Sequence, residues 1–420
     1  MEEPFVFFAE ASGADWIVRL LPFLAVALLF LAARTLPGAA SRVVFVALVA
    51  ASVLLNLYAA EARPYGVLGL LALALFLLGL EGEETGGRLA ALCALAAAGL
   101  YTHYLAIFAV VALGLLAARA GRWKSCAALA GGAVLFVPWI PVLLRQPASA
   151  VAWMRETPAG SLAGFLSALG GVGRVPSPFG PPAHRVLFAA AAFAGAALAL
   201  LAAARPGADR PTRQALAFVG LVLGGILVTG LWRPIAFAGR SEVMVLPVWF
   251  WAIARGADRG RALRWLSASA AVLGAVATAG VLAAPPPGAP LEDLRANLER
   301  VAGPRDVVFA SAGFYLPVRL ASDQGRLRAA VRALPQEIAL HPGWFVPALP
   351  GAAQEALVSR AAADLPPGGR IFLVLPPAYA TPGLRAALAS SAAGGSVREL
   401  VRTPEMLVLL FTPTKRPPPA

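Results

Sequence analysis

The sequence predicts a polytopic α-helical membrane protein of about ten transmembrane helices, followed by a C-terminal soluble α/β domain. Three observations predict it. The 420 residues are 59% hydrophobic and only 14% charged, whereas a water-soluble domain carries roughly 25% charged residues. Ten apolar runs approach the length a bilayer demands, and short arginine-bearing loops separate many of them. After Pro285–Pro287 the long runs stop and shorter helix- and strand-like patterns take over. The expected division is a transmembrane domain over 1–284 and a non-cytoplasmic α/β domain over 285–420.

The apolar runs lie at 16–34, 43–60, 66–80, 88–102, 104–119, 126–144, 186–204, 214–232, 241–256 and 263–283. The pair over 88–119 is tight, because Thr102, His103 and Tyr104 are nearly all the connection available. Arginine counting orients the chain. One set of loops holds Arg34, Arg42, Arg88, Arg119, Arg122, Lys124, Arg205, Arg210, Arg213, Arg255, Arg259, Arg261 and Arg264, and is expected to be cytoplasmic. Glu61–Tyr65, His103, the 145–185 loop, Arg240 and the C-terminal region then face the other side. The net charge of +13 is nearly all arginine, the lysines being Lys124 and Lys415. It reads as a topology signal and not as a nucleic-acid surface. Cys93 and Cys126 fall in or beside apolar runs, which argues against a disulfide framework. His103, His184 and His341 have no zinc-ligand spacing.

Between the sixth and seventh runs, Ser161 to Leu169 is helix-capable and Gly170 to Pro182 is rich in glycine and proline. This reads as an interfacial helix with a loop lying on the membrane. In the C-terminal region, helices are expected over Leu291–Val301, Gly351–Ala363 and Pro382–Ser390. Strands are expected over Asp306–Ala310 and Arg370–Leu375, with a closing hairpin of Val397–Arg402 and Met406–Phe411. Pro366–Pro367–Gly368–Gly369 precedes a strand and does not follow one, which excludes a phosphate-cradling loop of the nucleotide-binding kind.

The chemistry concentrates in a polar island, Glu61–Ala62–Arg63–Pro64–Tyr65, set between two apolar runs. Charged groups at a membrane rim are expensive unless they reach water or serve a site. Arginine suits a phosphate in such a setting, because its planar fork makes paired charged hydrogen bonds. Pro64 fixes the backbone entering the next helix. Trp139, Trp153 and Trp232 are read as part of an interfacial aromatic belt.

The order of the polar blocks carries a resemblance. Glu61–Tyr65, then Tyr101–Thr102–His103–Tyr104, then Pro138–Trp139–Ile140–Pro141 resembles the GT-C glycosyltransferases. More narrowly it resembles the family 39-like bacterial branch related to protein O-mannosyltransferases and to the lipid A aminoarabinose transferase. Asp15–Trp16–Ile17–Val18–Arg19 is similar to an early helix start of that family. Phe237–Ala238–Gly239–Arg240 before Pro247 is similar to its late Arg-Tyr element, with Ser241 where tyrosine is usual. The likeness covers about residues 4 to 256.

The resemblance implies a bacterial inner-membrane enzyme with its C-terminal domain in the periplasm or outside the cell. It implies transfer of a sugar, with inversion, from a polyprenyl-phosphate donor to an envelope glycan, lipid or protein. The bilayer is the third partner, and nucleic acid is not one. Arg63 and Arg240 are the candidates for the carrier phosphate. Glu61 orients Arg63, contacts the sugar, or joins a divalent cation (Mg or Mn) through water. His103 could donate to sugar or phosphate, and reads equally as a satisfied interfacial histidine. Glu61 and His103 are the catalytic candidates. Tyr65, Tyr104, Arg19, Arg240 and Glu242 complete the substrate-binding candidates, with Glu242 expected just inside a helix and paired with Arg240. In the family a helix and a loop bearing the catalytic aspartate precede the segment at Pro4. Here the chain opens Met1–Glu2–Glu3, and a start placed too late is the favoured reading. A non-catalytic homologue and a transporter of lipid-linked saccharides are the alternatives; neither the repeat symmetry nor the paired broken helices of a transporter is visible.

Overall fold

The computed structural model describes residues 15–60, 63–80, 82–144, 158–173, 181–204, 208–233, 235–283, 289–311, 314–339, 351–377, 380–389, 394–403 and 406–414. The chain divides into two compact units, whose described residues lie within 15–283 and 289–414.

Among the described residues, the regular elements of the first unit are all helical. Helix α1 (Asp15–Leu29) continues into a 3-10 turn (Phe30–Thr35), and α2 (Ala39–Ala51) and α3 (Val53–Ala60) follow. Next come α4 (Tyr65–Leu80), α5 (Gly86–Thr102), α6 (Ala106–Arg119), α7 (Trp123–Phe136) and the short α8 (Ile140–Leu144). Then come α9 (Pro158–Leu169), α10 (Pro181–Ala204), α11 (Arg210–Gly230), α12 (Leu246–Ala257) and α13 (Arg261–Ala283). Each expected apolar run therefore carries a helix, though not always a full crossing. Among the described residues three helices are long and apolar enough to span a bilayer: Trp123–Leu144, Arg210–Gly230 and Arg261–Val281. A fourth span arises if α2 and α3, bent by 58°, count as one.

The bend between α2 and α3 has a local cause. Ser52 leaves the helical conformation, with φ −69° and ψ 113°, and its hydroxyl accepts the N–H of Leu55 at 3.4 Å, capping α3. The carbonyls exposed by the break find partners. Asn56 Nδ2 donates to Ala50 O at 2.7 Å, and Thr278 Oγ1 donates to Ala51 O at 3.1 Å.

Two elements differ from the sequence expectation. The run expected to be helical over 241–256 starts only at Leu246, and residues 238–245 form successive turns. Once started, α12 is buried on every side, with Trp249, Phe250 and Trp251 in the core. The expected interfacial helix at Ser161–Leu169 is α9, and it packs into the helical core. Phe165 and Leu169 are buried, and Leu169 O accepts Trp249 Nε1–H at 2.8 Å. A Cβ on Gly170 would collide with the Ala191 carbonyl, and one on Gly195 with the Leu166 carbonyl. Glycine there lets α9 and α10 approach backbone to backbone.

The second unit holds α14 (Ala289–Val301), β1 (Val307–Ala310), α15 (Tyr315–Asp323), β2 (Ala330–Ala333), α16 (Ala352–Ala363), β3 (Ile371–Leu375), α17 (Pro382–Ala389), β4 (Gly395–Arg402) and β5 (Leu407–Pro413). The strands form one five-stranded sheet in the order β2-β1-β3-β5-β4. β1 pairs in parallel with β2 and β3, and β5 pairs antiparallel with β3 and β4. Alternate residues of β1 enter opposite cores: Val308 and Ala310 join α14 and α15, while Val307 and Phe309 join α16 and α17. Asp306 anchors the start of β1 to that of β3, accepting from Arg370 N at 2.8 Å and from Arg370 NH2 at 2.7 Å. α15 and β2 escaped the sequence reading: Pro317 lies inside the helix, and β2 is four residues long.

Candidate functional site

The site builds on α4. Its first turn carries Tyr65 and Gly66, and the absence of a side chain at Gly66 brings it close to α1 and α3. A Cβ there would lie 3.3 Å from Pro22 O and 3.4 Å from Tyr58 O. One turn on, a Cβ at Gly69 would lie 3.3 Å from both Val243 O and Pro247 Cγ. These two glycines bring Tyr58, Tyr65 and the turns before α12 to one end of the bundle.

Four rings then form a ladder. Tyr58 and Tyr65 have centroids 4.8 Å apart, Tyr65 and His103 5.3 Å, and His103 and Tyr104 4.5 Å. His103 is positioned by the break between α5 and α6. It is extended, with φ −162°, its N–H donates to Gly99 O at 2.9 Å, and its own carbonyl accepts Ala106 N–H at 2.9 Å. Its Nδ1 accepts the N–H of Leu105 at 3.2 Å. In the neutral imidazole this assigns the proton to Nε2 and makes Nε2–H a donor. Tyr101 turns away from the ladder, donating its hydroxyl to Leu135 O at 2.9 Å.

Arg240 meets the ladder from the turns before α12. Its guanidinium lies 5.2 Å from the centre of the Phe237 ring, and its charge acts on both His103 and Tyr104. Gly239 supplies the turn, with φ +95°, a conformation that favours glycine. Ser241 Oγ accepts Phe237 N–H at 3.1 Å and donates to Ile235 O at 3.2 Å.

Glu242 differs from expectation. It lies in the turns before α12, not inside the helix, and its Oε1 accepts the Gly239 N–H at 2.6 Å in place of an ion pair with Arg240. The backbone donor in the tight turn is nearer than the guanidinium and captures the carboxylate. Tyr58, absent from the sequence candidates, donates its hydroxyl to Gly239 O at 2.6 Å. The one signal that could have found it is the seven-residue spacing to Tyr65, the last residue of the polar island.

Of the other candidates, Arg63 is half-buried just before α4. Glu61 lies outside the described residues, as does Trp153. Arg19 falls within α1, but its side chain is likewise not described. Trp139 packs against Tyr101, with centroids 6.3 Å apart, and Trp232 is exposed. Among the described residues no three His, Cys, Asp or Glu side chains converge in a way that could hold a metal.

The fold is similar to two crystal structures of ArnT from Cupriavidus metallidurans, one in the apo state and one bound to undecaprenyl phosphate. The apo structure is 14% identical, with a TM-score of 0.54, covering 94% of this chain and 83% of that one. The lipid-bound structure is 15% identical, with a TM-score of 0.54, covering 94% of this chain and 84% of that one. No protein-family model and no curated protein matches the sequence. The likeness is one of fold, and it agrees with the helical membrane architecture expected from the apolar runs.

Proposed function

We propose that this chain is a membrane glycosyltransferase of the GT-C type. It takes a sugar from a polyprenyl-phosphate-linked donor at the non-cytoplasmic face of the bacterial inner membrane. The acceptor is an envelope glycan, lipid or protein, and transfer inverts the anomeric centre. About ten crossings and a non-cytoplasmic second unit belong to this reading.

The observation that carries it is Arg240, held on a glycine turn beside His103 and Tyr104, in a fold similar to one crystallised with undecaprenyl phosphate. In this reading Arg240 and Arg63 take the carrier phosphate. A guanidinium at a site shielded by rings stabilises the charge that develops on phosphate as the sugar departs. His103 Nε2–H offers a neutral donor to phosphate or to a sugar hydroxyl, while Tyr65 and Tyr104 shape the wall. Donor and enzyme share the bilayer, so the prenyl tail stays in lipid throughout.

The test is release of polyprenyl phosphate from polyprenyl-phosphate sugar by the purified protein. Arg63→Ala and Arg240→Ala should each abolish release. Turnover of both variants at the parent rate would refute the donor assignment.

A further inference from the structure

The turn that presents Arg240 is held by more than its own backbone. Gly239 adopts φ +95°, and both of its backbone polar groups are captured by side chains. Tyr58, from α3, donates to its carbonyl at 2.6 Å. Glu242, three residues on, accepts its N–H at 2.6 Å. Both side chains are buried, Tyr58 at 3% exposure and Glu242 at 0%.

Glu242 is an unusual choice for this task. Its second oxygen, Oε2, has no hydrogen-bond partner among the described residues. A buried carboxylate with an unsatisfied oxygen costs stability. Retaining one beneath an arginine-bearing turn fits a geometric requirement better than a packing one. Tyr58 is informative for another reason: the same residue that bonds Gly239 stacks on Tyr65, the first ring of the ladder leading to His103 and Tyr104. Tyr58 therefore ties the turn carrying Arg240 to the rings that Arg240 faces.

We propose that Tyr58 and Glu242 are positioning residues, clamping Gly239 from both sides so that the Arg240 guanidinium is held against the ring ladder. The proposal rests on the carrier-phosphate reading for its consequence, but the clamp itself is testable without it. Neither residue touches the carrier; each acts through Arg240. Tyr58→Phe keeps the ring stack and removes only the bond to Gly239. Glu242→Ala removes the acceptor, and Glu242→Gln restores a carbonyl oxygen for the Gly239 N–H.

Two measurements on the full chain in nanodiscs decide the matter. The first is hydrogen exchange across residues 237–242 without undecaprenyl phosphate. Tyr58→Phe and Glu242→Ala should speed exchange there, Arg240→Ala should not, and Glu242→Gln should recover most of the protection. Unchanged exchange in Tyr58→Phe would overturn the clamp, even if Glu242→Ala fails to fold. The second is affinity for undecaprenyl phosphate. Tyr58→Phe should weaken binding about tenfold in the parent, the scale of one lost hydrogen bond to a buried group, and not at all in an Arg240→Ala background. Equal weakening in both backgrounds, or none in the parent, would overturn the positioning role. If the parent does not bind undecaprenyl phosphate, the carrier reading fails and exchange alone judges the clamp.

Discussion

Helix α12 joins two ends of the first unit that hold arginine on different supports. At its C-terminal end Arg255 is closed into a network. Its NH2 lies 2.6 Å from Asp209 Oδ2, with Arg259 3.4 Å from the same oxygen, and its guanidinium covers Trp251 at 4.9 Å. Asp209 also caps α11, accepting Thr212 N–H at 3.0 Å. Nearby loops follow the same pattern. Glu84 accepts both the N–H and the hydroxyl of Ser125, at 2.8 and 2.6 Å, and Arg88 Nε donates to Leu78 O at 2.7 Å, closing the end of α4. At the other end Arg240 sits among rings, on a turn that other side chains hold in place. Arg255 braces the fold through Asp209; the role proposed for Arg240 is to meet the carrier phosphate from a braced turn.

The comparison breaks if the two ends respond alike to mutation. The largest expected effect is Arg240→Ala, which should lower release of polyprenyl phosphate by about 100-fold or more with little change in unfolding temperature. Asp209→Ala should do the reverse. It leaves Arg255 partly buried without its carboxylate, and should cost about 2 kcal/mol of stability while turnover stays near the parent; thermal unfolding beside the turnover assay separates the two. A smaller effect is expected of His103→Phe, which keeps a ring in the ladder and removes the Nε2 donor. Turnover should fall about tenfold, with stability close to the parent.

The smallest expected effect is on acid stability. The hydrogen bond from Ser125 holds the Glu84 carboxyl below its ordinary value of 4.5. At Asp209 burial works to raise the value, but hydrogen bonds from Thr212 and Arg255 bring it below its ordinary 3.8. Carboxylates with lowered folded values stabilise the fold above the unfolded value, and that contribution is lost as pH falls through the folded one. Unfolding temperature should therefore decline below about pH 4.5, the ordinary carboxylate range, and Ser125→Ala should make the decline shallower. An unchanged decline in Ser125→Ala would show that the Glu84 bond contributes nothing.

Most of the helical order was legible because apolar runs bounded by arginine need no tertiary information. The ends were less legible. Nothing in the composition of Ser241–Val245 distinguishes turn from helix; the decision comes from the carboxylate of Glu242 reaching back to Gly239. The site was legible in part. His103, Tyr104, Tyr65 and Arg240 were visible as polar residues in apolar surroundings, and the structure brings them together. Tyr58 was not, because it lies inside an apolar run and gains its role only from a residue 181 positions away. The packing of α9 was hidden for the same reason, since Gly170 and Gly195 reveal their purpose only when two helices meet.

The decisive measurement is binding of undecaprenyl phosphate to the purified chain in nanodiscs, compared across the parent, Arg240→Ala and Arg255→Ala. The parent and a folded Arg255→Ala should bind alike, and Arg240→Ala should lose binding. Equal binding by all three, or binding lost with Arg255 and kept without Arg240, would contradict the role proposed for Arg240.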